Sequence, residues 1–204
     1  MNGQTEALRG FVELLTGACL GISARTAHRC VFADGSVEGQ TILVAGGAGN
    51  VGSAAVSLAK CGGATVIATV GSSEGETIAR DAGADHVLNY RSQDVSEYVA
   101  EITSGVGVDR IVEVALGANI DLDSQMLALG GTVAAYASDA DPEPRLPFWP
   151  LLFKNATIRL VGSDDLPSDA EQAAVEAINE CLVARRLRPR VGRRFPLGGH
   201  PSWI

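Results

Sequence analysis

The sequence predicts an α/β fold, a doubly wound parallel sheet of six strands with helices on both faces. Short runs rich in β-branched residues alternate with helical stretches between residues 40 and 186, and such alternation implies right-handed βαβ units. A glycine loop, Gly46-Gly47-Ala48-Gly49-Asn50-Val51-Gly52, follows the first strand and opens the helix after it. The composition, 46% hydrophobic with 24 glycines and 5% aromatics, is that of a globular protein built on small residues and tight turns.

Taken in order, residues 5–33 read as two short helices, the first with Leu8, Phe11, Val12, Leu14 and Leu15 as an apolar face. The first strand is 40–45 and its helix 51–61; the second strand is 64–70 and its helix 74–82; the third strand is 86–89 and its helix 95–103. Strands four to six fall at 109–114, 132–137 and 157–161, which suits the order 3-2-1-4-5-6. Residues 139–150 carry four prolines and read as an extended surface loop. A last helix spans 168–186, with Ser168 as N-cap and Glu171 completing a capping box. The chain thus divides into a helical lead-in segment (1–33), a dinucleotide-binding domain (34–186) and a loosely held C-terminal tail (187–204).

A net charge of -8 argues against a nucleic-acid binder, which needs a basic surface. The cations at Arg185, Arg186, Arg188, Arg190, Arg193 and Arg194 fit a solvated helix end better than a nucleic-acid patch. There is no apolar run long enough to span a membrane and no signal-peptide pattern, so a cytoplasmic protein is expected. The four cysteines form no CxxC pair, and they read as buried or surface thiols in a reducing compartment, with no metal site. The chain shows no nucleophile set. His28, His86 and His200 read as packing or surface residues, and carboxylate pairs such as Asp121 with Asp123 read as solvated loop charges.

The glycine loop carries the chemistry. Gly47, Gly49 and Gly52 satisfy GxGxxG, and Gly46, Gly49 and Gly52 give an overlapping GxxGxxG. The first glycines allow a tight turn, Gly49 uncovers the backbone where a pyrophosphate would approach, and Gly52 lets helix and strand pack closely. Amides near Asn50 and Val51 then face the anion at the positive end of the helix dipole. An NAD-selective site would place a carboxylate at the end of the second strand, to hold the ribose 2'-OH. This sequence has Val70-Gly71-Ser72-Ser73 there, which favours NADP(H) over NAD(H), although Glu74 and Glu76 raise the local negative potential. Arg91, beside Tyr90, is the nearest cation, readable either as a phosphate contact or as a solvated loop charge.

Residues 39–90, with LGISARTAH at 20–28, GVDRIVEV at 107–114, GGTVAAYAS at 130–138, LFKNATIRLVGS at 152–163 and LRPRVGRRFPL at 187–197, resemble the zinc-independent, zeta-crystallin-like quinone oxidoreductases of the medium-chain dehydrogenase/reductase superfamily. The resemblance implies hydride transfer from NADPH to a quinone, enone or similar small-molecule acceptor. It places Gly49, Asn50 and Val51 on the pyrophosphate, Ser72 and Tyr90 near the adenosine phosphate, Ala115 and Tyr136 to Ser138 along the cleft, and Thr26 near the nicotinamide. The lysine that some members carry after the second strand is absent, with Gly75 about where it would stand, and Ala137 replaces a usual glycine. Members also carry an N-terminal GroES-like substrate domain. The chain therefore reads as the cofactor half of such an enzyme, weak or inactive alone, or else as a non-catalytic nucleotide-binding module or subunit completed by a partner chain. The sixth strand would lie at a sheet edge with unpaired amides, and the resemblance implies a homodimer through 157–162.

Overall fold

The computed structural model describes residue 17, residues 19–162 and residues 166–191. The first of the two expected N-terminal helices and most of the C-terminal tail lie outside the described residues.

Among the described residues the first element is α1 (Gly21–Phe32), after which the chain alternates β1 (Thr41–Val44), α2 (Asn50–Cys61), β2 (Thr65–Val70), α3 (Ser73–Asp81), β3 (His86–Asn89), α4 (Val95–Ile102), β4 (Val108–Glu113), α5 (Leu116–Met126) and β5 (Leu127–Ala135). It closes with α6 (Phe148–Phe153), β6 (Thr157–Leu160) and α7 (Ser168–Val183). The strands form one sheet in the order β3-β2-β1-β4-β5-β6, and every ladder in it is parallel.

Successive side chains of a strand point to opposite faces, and the sheet divides its apolar residues accordingly. Ile42, Val44, Val66, Ala68 and Val112 pack under α1, α2 and α7. Leu43, Ile67, Ile111 and Val133 pack on the other face, against α4, α5 and α6. Both faces are therefore covered, as an all-parallel sheet requires. Each fully buried Ile or Leu contributes roughly 1.5–3 kcal/mol.

α1 is tied to the sheet by an ion-pair cluster as well as by packing. Arg110 on β4, 4% exposed, donates to the Cys30 carbonyl (2.9 Å) and to Asp34 (2.7 Å), and Arg159 on β6 reaches the same carboxylate. The two guanidiniums hold the Asp34 carboxyl below its ordinary range, against the opposing effect of its partial burial.

Several expectations need correction. Residues 115–131, for which the sequence predicts no element, hold α5 and the start of β5. β5 begins five residues earlier than expected because Val108 pairs with Leu127 and Arg110 with Thr132. Residues 128–131 bulge between those pairs, with Gly130 at φ 77°. The proline-rich loop is interrupted by α6, with Pro147 as its N-cap residue and Pro150 in its first turn, where no intrahelical N–H is needed. α7 begins at Ser168 after Pro167 as N-cap residue, with no side-chain cap, so the expected capping box does not form. Finally, Cys61 at the end of α2 and Cys181 in α7 are joined as a disulfide, their Cα atoms 6.3 Å apart. That replaces the expectation of free thiols for this pair; Cys19 and Cys30 are free.

Candidate functional site

The loop between β1 and α2 is shaped by two close approaches. Gly46 takes φ 67°, a left-handed conformation that suits glycine, and Gly47 donates to the Thr69 carbonyl (2.9 Å), docking the loop on β2. A Cβ on Gly47 would stand 2.8 Å from that of Ala68, and a Cβ on Gly52 would stand 2.2 Å from the Gly46 carbonyl oxygen. Gly49, the N-cap residue of α2, is exposed, and its Cβ would meet only the Gly46 oxygen at 3.3 Å. Gly49 N donates to Gly46 O (2.9 Å) and Ser53 N to Gly49 O (2.8 Å). The amides of Asn50 and Val51 have no acceptor among the described residues, and they sit at the positive end of the helix dipole. This is a ready seat for an anion.

At the end of β2, a Cβ on Gly71 would lie 2.7 Å from the Tyr90 hydroxyl and 3.2 Å from Arg91 Nε. Gly71, Tyr90 and Arg91 therefore meet at one corner, with the Arg91 guanidinium 5.9 Å from the Tyr90 ring centroid. Ser72 caps α3 by accepting from Gly75 N (3.1 Å), which leaves its hydroxyl proton free. At the carboxyl ends of β4 and β5, Ala115 bridges to Ser138, whose hydroxyl accepts from Gly117 N (2.9 Å) and donates to the Asp141 carbonyl. Tyr136 is half-buried against the core under α1, and burial raises its phenol pKa. Thr26 is buried on α1, and its hydroxyl donates to its own helix at Ile22 O (2.8 Å).

A cavity of about 590 Å³ opens beside the glycine loop, between the carboxyl ends of β1 and β4, with Gly46, Tyr90 and Ala115 in its lining. This is the switch point of the strand order, where ligands of open parallel sheets bind. The sequence reading missed its floor. Glu113 and Asp123 line it, at 1% and 2% exposure. Glu113 accepts from the Ala115 amide and from Asn119 Nδ2 (3.0 Å). Asp123, expected as a solvated loop charge, lies on the buried face of α5. Burial pushes its pKa up to about 8, and the Glu113 charge and hydrogen bond add to the shift. Burial also raises Glu113, against the opposing pull of the amide donors around it. One signal for Glu113 was visible, a carboxylate within the apolar run DRIVEV.

The pair has a consequence for stability. The folded chain keeps a proton on Asp123 through a range where an unfolded aspartate, at 3.8, has lost it. The contribution is complete below about pH 4 and is lost as pH rises through about 8, at roughly 1.4 kcal/mol per pKa unit retained. Urea unfolding from pH 5 to 9 should show wild-type stability falling, with a shallower slope in Asp123→Asn, whose amide can still donate to Glu113. Equal slopes would contradict this assignment.

The zinc-binding dehydrogenase family matches residues 50–180. The quinone oxidoreductase of Homo sapiens is 29% identical over 189 residues, covering 91% of this chain and 56% of that protein. The quinone oxidoreductase of Mus musculus is 35% identical over 189 residues, covering 89% and 55%. The chain spans about half the length of these relatives. A mycobacterial protein complexed with NADPH superposes with a TM-score of 0.81 at 26% identity, over 91% of this chain and 58% of that one. Zinc does not fit the residues at hand, because no three His, Cys, Asp or Glu side chains converge among the described residues. A dinucleotide does fit them, through the open amides of α2 and the cavity beside the loop. The chain belongs to the zinc-binding dehydrogenase family and, within the medium-chain dehydrogenase/reductases, is similar to the quinone oxidoreductases.

Proposed function

We propose that this chain binds NADP(H) and serves hydride transfer from NADPH to a quinone, enone or similar acceptor. The open amides of Asn50 and Val51 at the start of α2, uncovered by Gly49, carry this reading. When bound, the dinucleotide supplies the hydride; the protein's part is to position the nicotinamide and exclude water. Preference for the 2'-phosphorylated cofactor is supported by the corner at Gly71, where the Tyr90 hydroxyl and Arg91 guanidinium converge and the strand end Gly71-Ser72-Ser73 carries no carboxylate. Glu74 and Glu76, in the first turn of α3, oppose it. Titration with NADPH and NADH should give at least tenfold tighter binding of NADPH, with Arg91→Ala narrowing the gap. Equal affinities would count against the preference.

Turnover in this reading requires a substrate domain, in this polypeptide or on a partner chain, that covers the nicotinamide side. A second copy pairing at β6 through residues 157–162 is also proposed. β6 is an edge strand with Leu160 75% exposed, and Trp149 and Phe153 on the neighbouring α6 are 63% and 72% exposed. Unpaired edges and apolar surface of this kind invite association.

A further inference from the structure

The chain leaves α7 by a turn that carries it back to the glycine loop. Arg185 takes φ 57°, and the amides of Arg186 and Leu187 both donate to the Cys181 carbonyl (2.9 and 3.2 Å), a pattern that closes a helix. Leu187, 4% exposed, packs into the same core as Cys181. The short arm that follows runs to the start of α2, where Leu187, Arg188 and Arg190 line a narrow crevice with Asn50 and Ser53. At its end Arg190 donates to the Ala48 carbonyl (3.0 Å), inside the glycine loop. The disulfide fixes the other end of this path, since it bonds Cys181 to Cys61, the last residue of α2. α2 is thus braced at both ends, by the covalent bond at one and by the Arg190 contact at the other.

The bond can be reached from outside. A cavity of about 360 Å³ opens between α1, α2 and α7, with Cys61 and Cys181 in its lining beside Phe32, Ala177 and Arg186. Cys61 is half-buried and Cys181 is 2% exposed, so an incoming thiolate meets Cys61 first. Attack on Cys61 Sγ forms a mixed disulfide and breaks the bond to Cys181, whose thiolate takes up a proton. When the reductant is a dithiol, its second thiolate displaces Cys61, which is protonated in turn, and the reductant leaves as a disulfide, having given two electrons to the protein. Two thiols repel at covalent distance, so the end of α7 must move off α2, and the arm moves with it.

We propose that the Cys61 to Cys181 bond is a redox-sensitive tie: reduction by a dithiol releases the arm of residues 187–190, slackens the Arg190 contact on the glycine loop and lowers affinity for the dinucleotide. The inference rests on the dinucleotide reading above for its ligand, while the tie itself stands on the bond and the Arg190 contact. A hydrogen bond exposed to water is worth little, so the effect is severalfold, not all-or-none.

The test is calorimetric titration of NADPH into the full chain, oxidised and reduced with dithiothreitol, for wild type, Arg190→Ala and Cys181→Ser. Amide hydrogen exchange across residues 46–53 is read alongside, without cofactor. Reduction should weaken NADPH binding by wild type at least threefold and speed exchange in the loop. Oxidised Arg190→Ala should bind about as weakly as reduced wild type and lose the response, and Cys181→Ser should not respond to reductant. Equal affinity and equal loop exchange in oxidised and reduced wild type, or a full response in Arg190→Ala, would overturn the proposal. Should reduction unfold the chain, oxidised Arg190→Ala decides, and wild-type affinity in that variant would overturn it. If wild type binds NADPH in neither state, the dinucleotide reading fails, and loop exchange alone decides whether the tie acts on the loop.

Discussion

Gly52→Ala should destabilise the chain by about 3 kcal/mol and remove dinucleotide binding, although alanine is the better helix former. Two effects compete. Gly52 lies in the first turn of α2, and replacing a helical glycine by alanine gains up to about 1 kcal/mol in propensity. The added methyl carbon, however, would stand 2.2 Å from the Gly46 carbonyl oxygen and 2.8 Å from its carbon. Both are backbone atoms, so no rotamer change relieves the clash; the loop or the helix start must move. Overpacking of this kind costs roughly 1–3 kcal/mol or more, which outweighs the propensity gain. The same movement displaces the Asn50 and Val51 amides, and a site displaced by more than about 0.5 Å no longer presents productive geometry. Urea unfolding and cofactor titration of the variant check both halves. Stability within about 1 kcal/mol of wild type together with intact binding would contradict the account of the loop.

Reduction of the Cys61 to Cys181 disulfide should lower the unfolding free energy by roughly 2–4 kcal/mol. The bond closes a segment of 120 residues, and chain-entropy arguments give the larger stabilisation to the longer loop. It also joins α7 to α2, whose buried residues share one core beneath α1. Since α2 carries the anion seat at its other end, reduction should loosen α7 more than the glycine loop. Urea unfolding with and without dithiothreitol measures the effect, and Cys181→Ser should erase the response to reductant. An unchanged midpoint on reduction would show that the bond contributes nothing.

The elements carrying the anion seat were legible because several signals coincided there. The run TILVA, the spaced glycines and the helix after them each point to strand, turn and helix, and β1 and α2 lie within one residue of the expected bounds. α5 was missed for a physical reason. Its buried face includes Asp123 and Ser124 beside Leu116, Ile120 and Met126, so apolar periodicity breaks where the buried acid stands. α6 was hidden because prolines signal loops unless they fall in a first turn, as Pro150 does. The disulfide joins residues that only the finished fold brings together, and no local pattern announces it. Of the expected site residues, Gly46, Tyr90 and Ala115 line the cavity, and Gly71 and Arg91 meet Tyr90 at its rim. Ser138 is bound up in the junction of β4 and β5, while the Thr26 hydroxyl is occupied by its own helix.

The most direct test of the anion seat is calorimetric titration of NADPH into wild type and Gly49→Asp. At the N-cap position aspartate supports a helix as well as or better than glycine, and the new Cβ meets only one atom at 3.3 Å, so stability should change by less than about 1 kcal/mol. The carboxylate would nevertheless stand where the pyrophosphate belongs. The account predicts measurable NADPH binding by wild type and none by a fully folded Gly49→Asp; undiminished binding by that variant would contradict it.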